Sequence, residues 1–101
     1  MSIVWHELAV ADLNAILDYL LERNVEAAQR TFQRVRERVE LLVEHPNLGR
    51  PGRVEGTREL IIGQTPYIVA YTIDYGIGAV VVLRVLHGAQ RWPENFAGLT
   101  Y

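Results

Sequence analysis

The sequence predicts a small α+β domain in which an N-terminal helical hairpin packs on a small antiparallel sheet, in the order β-α-α-β-β-β. Three observations predict this fold class. The chain has 101 residues, half of them hydrophobic, which is enough for one packed core. Apolar residues recur with a helical period in the first half and follow a strand-like pattern after residue 57. A segment rich in proline and glycine separates the two halves.

Residues 1–45 are predicted to form an edge strand followed by the helical hairpin. The strand is the β-type run Ile3-Val4-Trp5. The first helix shows one apolar stripe at i, i+3, i+4, i+7 and i+8: Leu13, Ile16, Leu17, Leu20 and Leu21. The stripe of the second helix has alternating spacings of four and three: Ala28, Phe32, Val35, Val39 and Leu42. Asn24 punctuates the short link, so the two helices should form a hairpin.

Residues 46–57 are predicted to be a Gly/Pro loop that ends the second helix. Residues 58–92 then hold three runs rich in β-branched and aromatic residues, at 59–62, 67–73 and 79–86. Because only turn-length breaks separate them, these strands should form an antiparallel meander. The tail, 93–101, is weakly patterned. Residues 1–101 are therefore expected to form a single domain.

The net charge is −2, and all ten basic residues are arginine. An acidic total argues against a protein that binds by covering a phosphate backbone with cations. Residues 50–101 nevertheless carry five arginines against four acidic residues, which leaves room for a local basic site. Arginine is the better fork for phosphate and carboxylate groups.

The absence of cysteine excludes disulfides and thiolate chemistry. The N-terminus has no signal-peptide pattern, and no apolar run approaches the roughly 20 residues that span a bilayer. We therefore expect a cytoplasmic protein without a membrane partner. The sequence also contains no Gly-rich phosphate loop and no zinc-protease motif. Its three histidines are widely separated and Ser2 is its only serine, so neither a metal, a cofactor nor a serine triad is expected.

His87 and Arg58 are the first two candidate site residues. His87 ends the last strand before Gly88, and its imidazole could move a proton near neutral pH or could simply cap strand backbone groups. Arg58 begins a strand, where it could hold a phosphate through two parallel N–H bonds. Alternatively, Arg58 is a surface residue paired with Glu55 or Glu59, which is a weak interaction.

The remaining candidates surround the predicted sheet. Arg91 and Trp92 could grip RNA by phosphate contact and base stacking, or Trp92 could close the end of the core. Arg50 and Arg53 form a modest basic patch or a merely solvated loop. The Tyr71 hydroxyl could reach a site, although most strand tyrosines pack in the core. Strand alternation places Arg84 and His87 on opposite faces, which removes Arg84 from a site built around His87.

The ordered motifs resemble the RelE/ParE toxins of type II toxin–antitoxin modules. The resemblance covers about residues 3–92 and rests on the helical hairpin followed by four motifs: His45-Pro46-x-x-Gly49-Arg50-Pro51, Arg58-Glu59-Leu60, Pro66-Tyr67-Ile68-Val69-x-Tyr71 and Leu83-Arg84-Val85-Leu86-His87. It implies a compact toxin fold that a cognate antitoxin neutralises. RelE-like members cleave mRNA in the ribosomal A site, whereas ParE-like members inhibit DNA gyrase.

The resemblance implies a site as well as a fold. In a metal-free RelE-type endoribonuclease, Arg58 and Arg91 would hold the phosphate and His87 would act as general acid or base. Tyr71, Trp92, Arg50 and Arg53 would contact the substrate. The Arg58-Glu59-Leu60 and Pro66-Tyr67 motifs favour this ribosome-dependent mRNA interferase. The net charge, the lack of lysine and the hairpin length favour a ParE-like gyrase inhibitor, and a non-toxic antitoxin-binding module is the third alternative.

Overall fold

The computed structural model describes residues 1–93, so all of the predicted tail except Pro93 lies outside the described residues. The chain forms five strands and two α-helices, with a short 3₁₀ turn, Leu41–Val43, after the second helix. Their bounds are β1 Ser2–Trp5, α1 Glu7–Leu21, α2 Val25–Glu40, β2 Arg50–Pro51, β3 Arg58–Ile61, β4 Tyr67–Asp74 and β5 Ala79–His87. Both helices pack on one sheet, and the predicted α+β class is therefore confirmed.

The five strands lie in the spatial order β1-β5-β4-β3-β2. β3, β4 and β5 form the predicted antiparallel meander, and β1 is an edge strand as expected. The description of the whole sheet as antiparallel was wrong, because β1 runs parallel to β5, with Ser2 opposite Ala79. A parallel pair needs a long crossover, and here the helices and the meander together supply it.

The predicted loop 46–57 contains a strand that the sequence did not reveal. Arg50 and Pro51 form β2, antiparallel to β3, with Arg50 opposite Glu59. Two residues are too few to show a period, and proline normally argues against a strand. Pro51 is tolerated because β2 is the outer strand of the sheet, where a missing N–H breaks no ladder.

The helix boundary at Asn24 has a local cause. The Asn24 side-chain oxygen accepts a hydrogen bond from the backbone N–H of Ala27 at 3.1 Å and caps the start of α2. Most of the predicted α2 stripe is buried, but Phe32 is 46% exposed and belongs to the surface. In α1 only Ala9 is fully buried, and Leu21 of the predicted stripe is 49% exposed.

A β-bulge shifts the alternation of β5. Ala70 lies opposite Arg84 but Tyr71 lies opposite Val82, so Leu83 is the extra residue. Val80, Val82 and Val85 consequently share the helix-packed core. Without the bulge, strand alternation would point Val85 away from Val80 and Val82, since a bulge inverts the facing of every residue beyond it.

Tyr71 fastens the segment after α2 to the sheet. Its side chain is fully buried, and its hydroxyl donates to the Pro46 carbonyl at 2.7 Å and accepts from the Gly49 N–H at 2.8 Å. Gly49 permits this approach, because a Cβ there would lie 2.7 Å from the tyrosine ring. In this structure Tyr71 is a packing residue whose hydroxyl is already bonded, and its predicted contact with substrate stays a prediction.

We expect Tyr71→Phe to lower the free energy of unfolding by about 1–3 kcal/mol, because it leaves a buried carbonyl and a buried N–H without their partner. Urea denaturation measures the change. Tyr75→Phe is the matched control, since Tyr75 is 73% exposed and should stay within about 0.5 kcal/mol of wild type. Equal stability of the two variants would contradict the role given to the Tyr71 hydroxyl.

Candidate functional site

Glu59 organises the arginines of the loop. Its carboxylate is only 3% exposed, and it accepts from Arg50 Nη2 at 3.0 Å, from Arg53 Nε at 3.1 Å and from the Arg53 backbone N–H at 2.7 Å. Burial raises the pKa of Glu59, but the backbone N–H of Arg53 and the two guanidinium groups outweigh it and hold the pKa below its ordinary value. The predicted basic patch of Arg50 and Arg53 is therefore engaged with an internal carboxylate.

Trp92 joins the same cluster. The Arg53 guanidinium stacks 3.7 Å from the centre of the Trp92 ring, and Trp92 Nε1 donates to the His87 carbonyl at 3.2 Å. The structure thus brings together Arg50, Arg53 and Trp92, three of the predicted substrate contacts. It brings them together around Glu59, which the sequence suggested only as a partner for Arg58.

Arg58 pairs with neither Glu55 nor Glu59. Its Nη1 donates to the carbonyls of Gly49 at 2.7 Å and Asn47 at 3.4 Å. Arg58 also lines a cavity of about 290 Å³ at the N-terminal end of β3. Arg58 therefore holds the segment that Tyr71 also fastens, and it faces an open cavity at the same time.

His87 lies at the end of β5, opposite Tyr67 of β4. The two rings are perpendicular, with their centres 5.8 Å apart. His87 Nδ1 accepts from the backbone N–H of Ala89 at 3.0 Å, so the neutral ring carries its proton on Nε2. The ring lines a groove of about 320 Å³ beside α1, and this groove is separate from the Arg58 cavity.

Two of the predicted catalytic residues, Arg58 and His87, line different cavities. Arg58 lies beside Tyr71 and His87 beside Tyr67, on opposite sides of β4. At about 3.3 Å per residue and about 4.8 Å per strand, their Cα atoms are about 16 Å apart. The two side chains are directed to different places, because Arg58 Nη1 donates to the Gly49 carbonyl while His87 lines the groove beside α1. Arg91 is exposed and lies four positions after His87 in the chain.

Arg84 is held by an acid that the sequence did not single out. Its Nε donates to the Asp12 carboxylate at 2.7 Å and its Nη2 at 3.0 Å, and the backbone N–H of Val85 donates to Asp12 at 3.0 Å. The bidentate pair raises the pKa of Arg84. Asp12 was visible in the sequence only as a polar residue in an apolar helix, so nothing there indicated the pairing.

Within residues 1–93, no three histidine, aspartate or glutamate side chains are grouped so that they could hold a metal ion. No helix in this part of the chain is both long and apolar enough to cross a membrane.

The fold defines the class of protein, and sequence comparisons give the family. The chain belongs to the ParE toxins of type II toxin–antitoxin systems, because the model of that family, described by the system parDE, matches residues 3–92. The resemblance to RelE/ParE toxins is thereby confirmed.

Three relatives are also toxins by name. Toxin Y4kP of Sinorhizobium fredii is 38% identical over 90 residues, which cover 89% of this chain and 91% of that protein. Toxin RelE2 of Caulobacter vibrioides is 35% identical over 89 residues, covering 88% and 97%. Toxin RelE3 of the same organism is 33% identical over 82 residues, covering 79% and 86%.

A solved structure, described as the chromosomal ParDE TA system from P. aeruginosa, shares the fold. It matches with a TM-score of 0.74 and 31% sequence identity, over 86% of this chain and 95% of that one. The chain is thus a type II toxin of the ParE/RelE family, with two helices packed on a mixed five-stranded sheet.

We expect Glu59→Gln to lower the free energy of unfolding by about 1–3 kcal/mol at pH 7, because it removes charge-assisted hydrogen bonds from a buried group. The folded-state pKa of Glu59 lies below its unfolded value. Its contribution is therefore present above about pH 4.3 and is lost as the pH falls through the folded pKa.

Urea unfolding of wild type and Glu59→Gln between pH 7 and pH 3 tests this expectation. The difference in their free energies of unfolding should become smaller in the acid range. Glu55→Gln is the matched control, because Glu55 is exposed on the same loop. A gap that does not change with pH would contradict the role assigned to the ionised carboxylate.

Proposed function

We propose that this chain arrests growth as a ParE-like toxin that binds and inhibits DNA gyrase, and that it does not cleave RNA. The observation that carries this proposal is the separation of Arg58 from His87. The two groups lie on opposite sides of β4, about 16 Å apart by strand geometry. Arg58 is oriented by the Gly49 carbonyl and lines a different cavity from His87, which favours a toxin that does not use both groups on one phosphate.

The state of three arginines in the sheet and its adjoining loop supports the same proposal. Arg50 and Arg53 are paired with Glu59, and Arg84 is paired with Asp12. Arginines paired in this way contribute little to binding a phosphate backbone, because the affinity for phosphates comes from Lys and Arg side chains that are free to contact them. The net charge of −2 also disfavours binding to RNA. A target recognised by a protein surface fits this distribution of charge better than RNA does.

Membership of a type II toxin family implies a cognate antitoxin. We propose that such an antitoxin binds and neutralises this chain, and that a short neighbouring reading frame encodes it.

The second candidate function is the mRNA endonuclease. It is favoured by the two Caulobacter relatives that carry the RelE name. In this chain it would depend on the imidazole of His87 and the exposed guanidinium of Arg91, four positions further on, without Arg58.

Expression without antitoxin separates these alternatives. We expect growth arrest with intact transcripts by primer extension on translated mRNA, and inhibited supercoiling by purified DNA gyrase. His87→Ala should arrest growth as wild type does, because the proposed function does not use a proton transfer at His87. Transcripts that are cleaved by wild type but not by His87→Ala would establish the endonuclease instead. Normal growth on expression would leave only the non-toxic antitoxin-binding module.

A further inference from the structure

The end of the sheet beyond β3 forms a distinct surface. Pairing between β3 and β4 stops at Arg58 opposite Tyr71, while β4 continues to Asp74 and then turns into β5. The Ile62 N–H donates to the Tyr67 carbonyl, and in an antiparallel ladder every second residue of a strand directs its N–H and C=O toward the same neighbouring strand. Residues 67, 69 and 71 of β4 therefore face β3. Ile73 is the next residue in this series, and it lies beyond the first residue of β3. A cavity of about 290 Å³ lies at this end of the sheet, and its lining includes Asn47, Arg58, Thr72, Ile73 and Tyr75.

Arg58 gives this cavity a positive charge. Among residues 1–93, no carboxylate lies within 4.0 Å of its guanidinium, whereas Arg50, Arg53 and Arg84 each have one. Only Nη1 of Arg58 is hydrogen-bonded, to backbone carbonyls, which orients the side chain. Nε and Nη2 keep their N–H groups free within the described part of the chain. A half-buried guanidinium with open donors is a site for an oxyanion, above all one that can accept two parallel bonds.

The turn that borders the cavity exposes apolar side chains. Tyr75 is 73% exposed and Ile77 is 59% exposed, at the tip between β4 and β5. Apolar residues at a turn tip contribute nothing to the core of this chain. Tyrosine and arginine beside one another are, in contrast, the residue types that dominate the energy of protein–protein interfaces.

We propose that this turn-tip surface, formed by Arg58, Ile73, Tyr75 and Ile77, is where the toxin grips its protein target. A carboxylate of the target would enter the cavity and pair with Arg58, while an adjoining apolar side chain of the target packs on Tyr75 and Ile77. The inference rests on the proposed function, since it names the surface that performs the inhibition. A protein fits better than a nucleic acid, because Ile77 offers nothing to a phosphate backbone and the chain carries a net charge of −2.

Three variants test the surface: Tyr75→Ala, Ile77→Ala and Arg58→Lys. The first two remove exposed side chains without touching the core. The third keeps a charged donor for the Gly49 carbonyl but loses the fork. Val25→Ala is the matched control, because Val25 is 53% exposed but lies on the helical hairpin. The measurements are the inducer dose that arrests growth without antitoxin, the binding constant for purified DNA gyrase and the melting temperature.

We expect each of the three variants to weaken gyrase binding by about tenfold or more and to raise the arresting dose, as truncation of an interface hot spot does. Val25→Ala should match wild type, and the melting temperatures of Tyr75→Ala and Ile77→Ala should stay unchanged. Wild-type toxicity and binding in Tyr75→Ala and Ile77→Ala would overturn the turn-tip surface while leaving the proposed function intact. Wild-type toxin that neither arrests growth nor binds gyrase would overturn the proposed function itself.

Discussion

The two hydrogen bonds of the Tyr71 hydroxyl are the constraint on which the rest of the structure depends. They tie the backbone at Pro46 and Gly49 to the centre of the sheet, 25 and 22 residues away in sequence. Because this segment is fixed, the Gly49 carbonyl can orient Arg58, and β2 can align on β3. The buried hydroxyl of Tyr71 therefore fixes the backbone segment that orients Arg58 and that aligns β2 with β3. The hydroxyl can do so because burial leaves it no competing water.

Burial also determines where several charged side chains lie. Glu59, almost fully buried in the sheet, needs partners to remain ionised, and it draws Arg50 and Arg53 over the face away from the helices. Asp12 likewise binds Arg84 at the strand edge. Arg58, in contrast, is half-buried and has no carboxylate within 4.0 Å among residues 1–93. A shared family fold therefore does not by itself establish a nuclease site, since function depends on where individual charges are left free.

Local signals explain what could be read from the sequence. Asn24 marked the helix boundary because its side chain caps α2, and β-branched runs located the strands of the meander. Local sequence patterns did not predict the structure correctly where a residue's role depends on partners that are distant in sequence. Phe32 continued the apolar period of α2 and yet faces solvent, because periodicity defines a stripe but not how wide the covering surface is. The bulge at Leu83 arises from pairing with β4, and β2 is too short to show any pattern.

By itself, the sequence determined the α+β class, the order of the main elements and the toxin family, because each depends on local periodicity, turn chemistry or an ordered set of motifs. Only the tertiary structure decided that Tyr71 is a packing residue, that Arg50 and Arg53 serve Glu59, and that Arg58 and His87 lie apart. The reason is physical: whether a polar side chain is free to act is set by burial and by partners many residues away in sequence, and strand pairing alone brings those partners together.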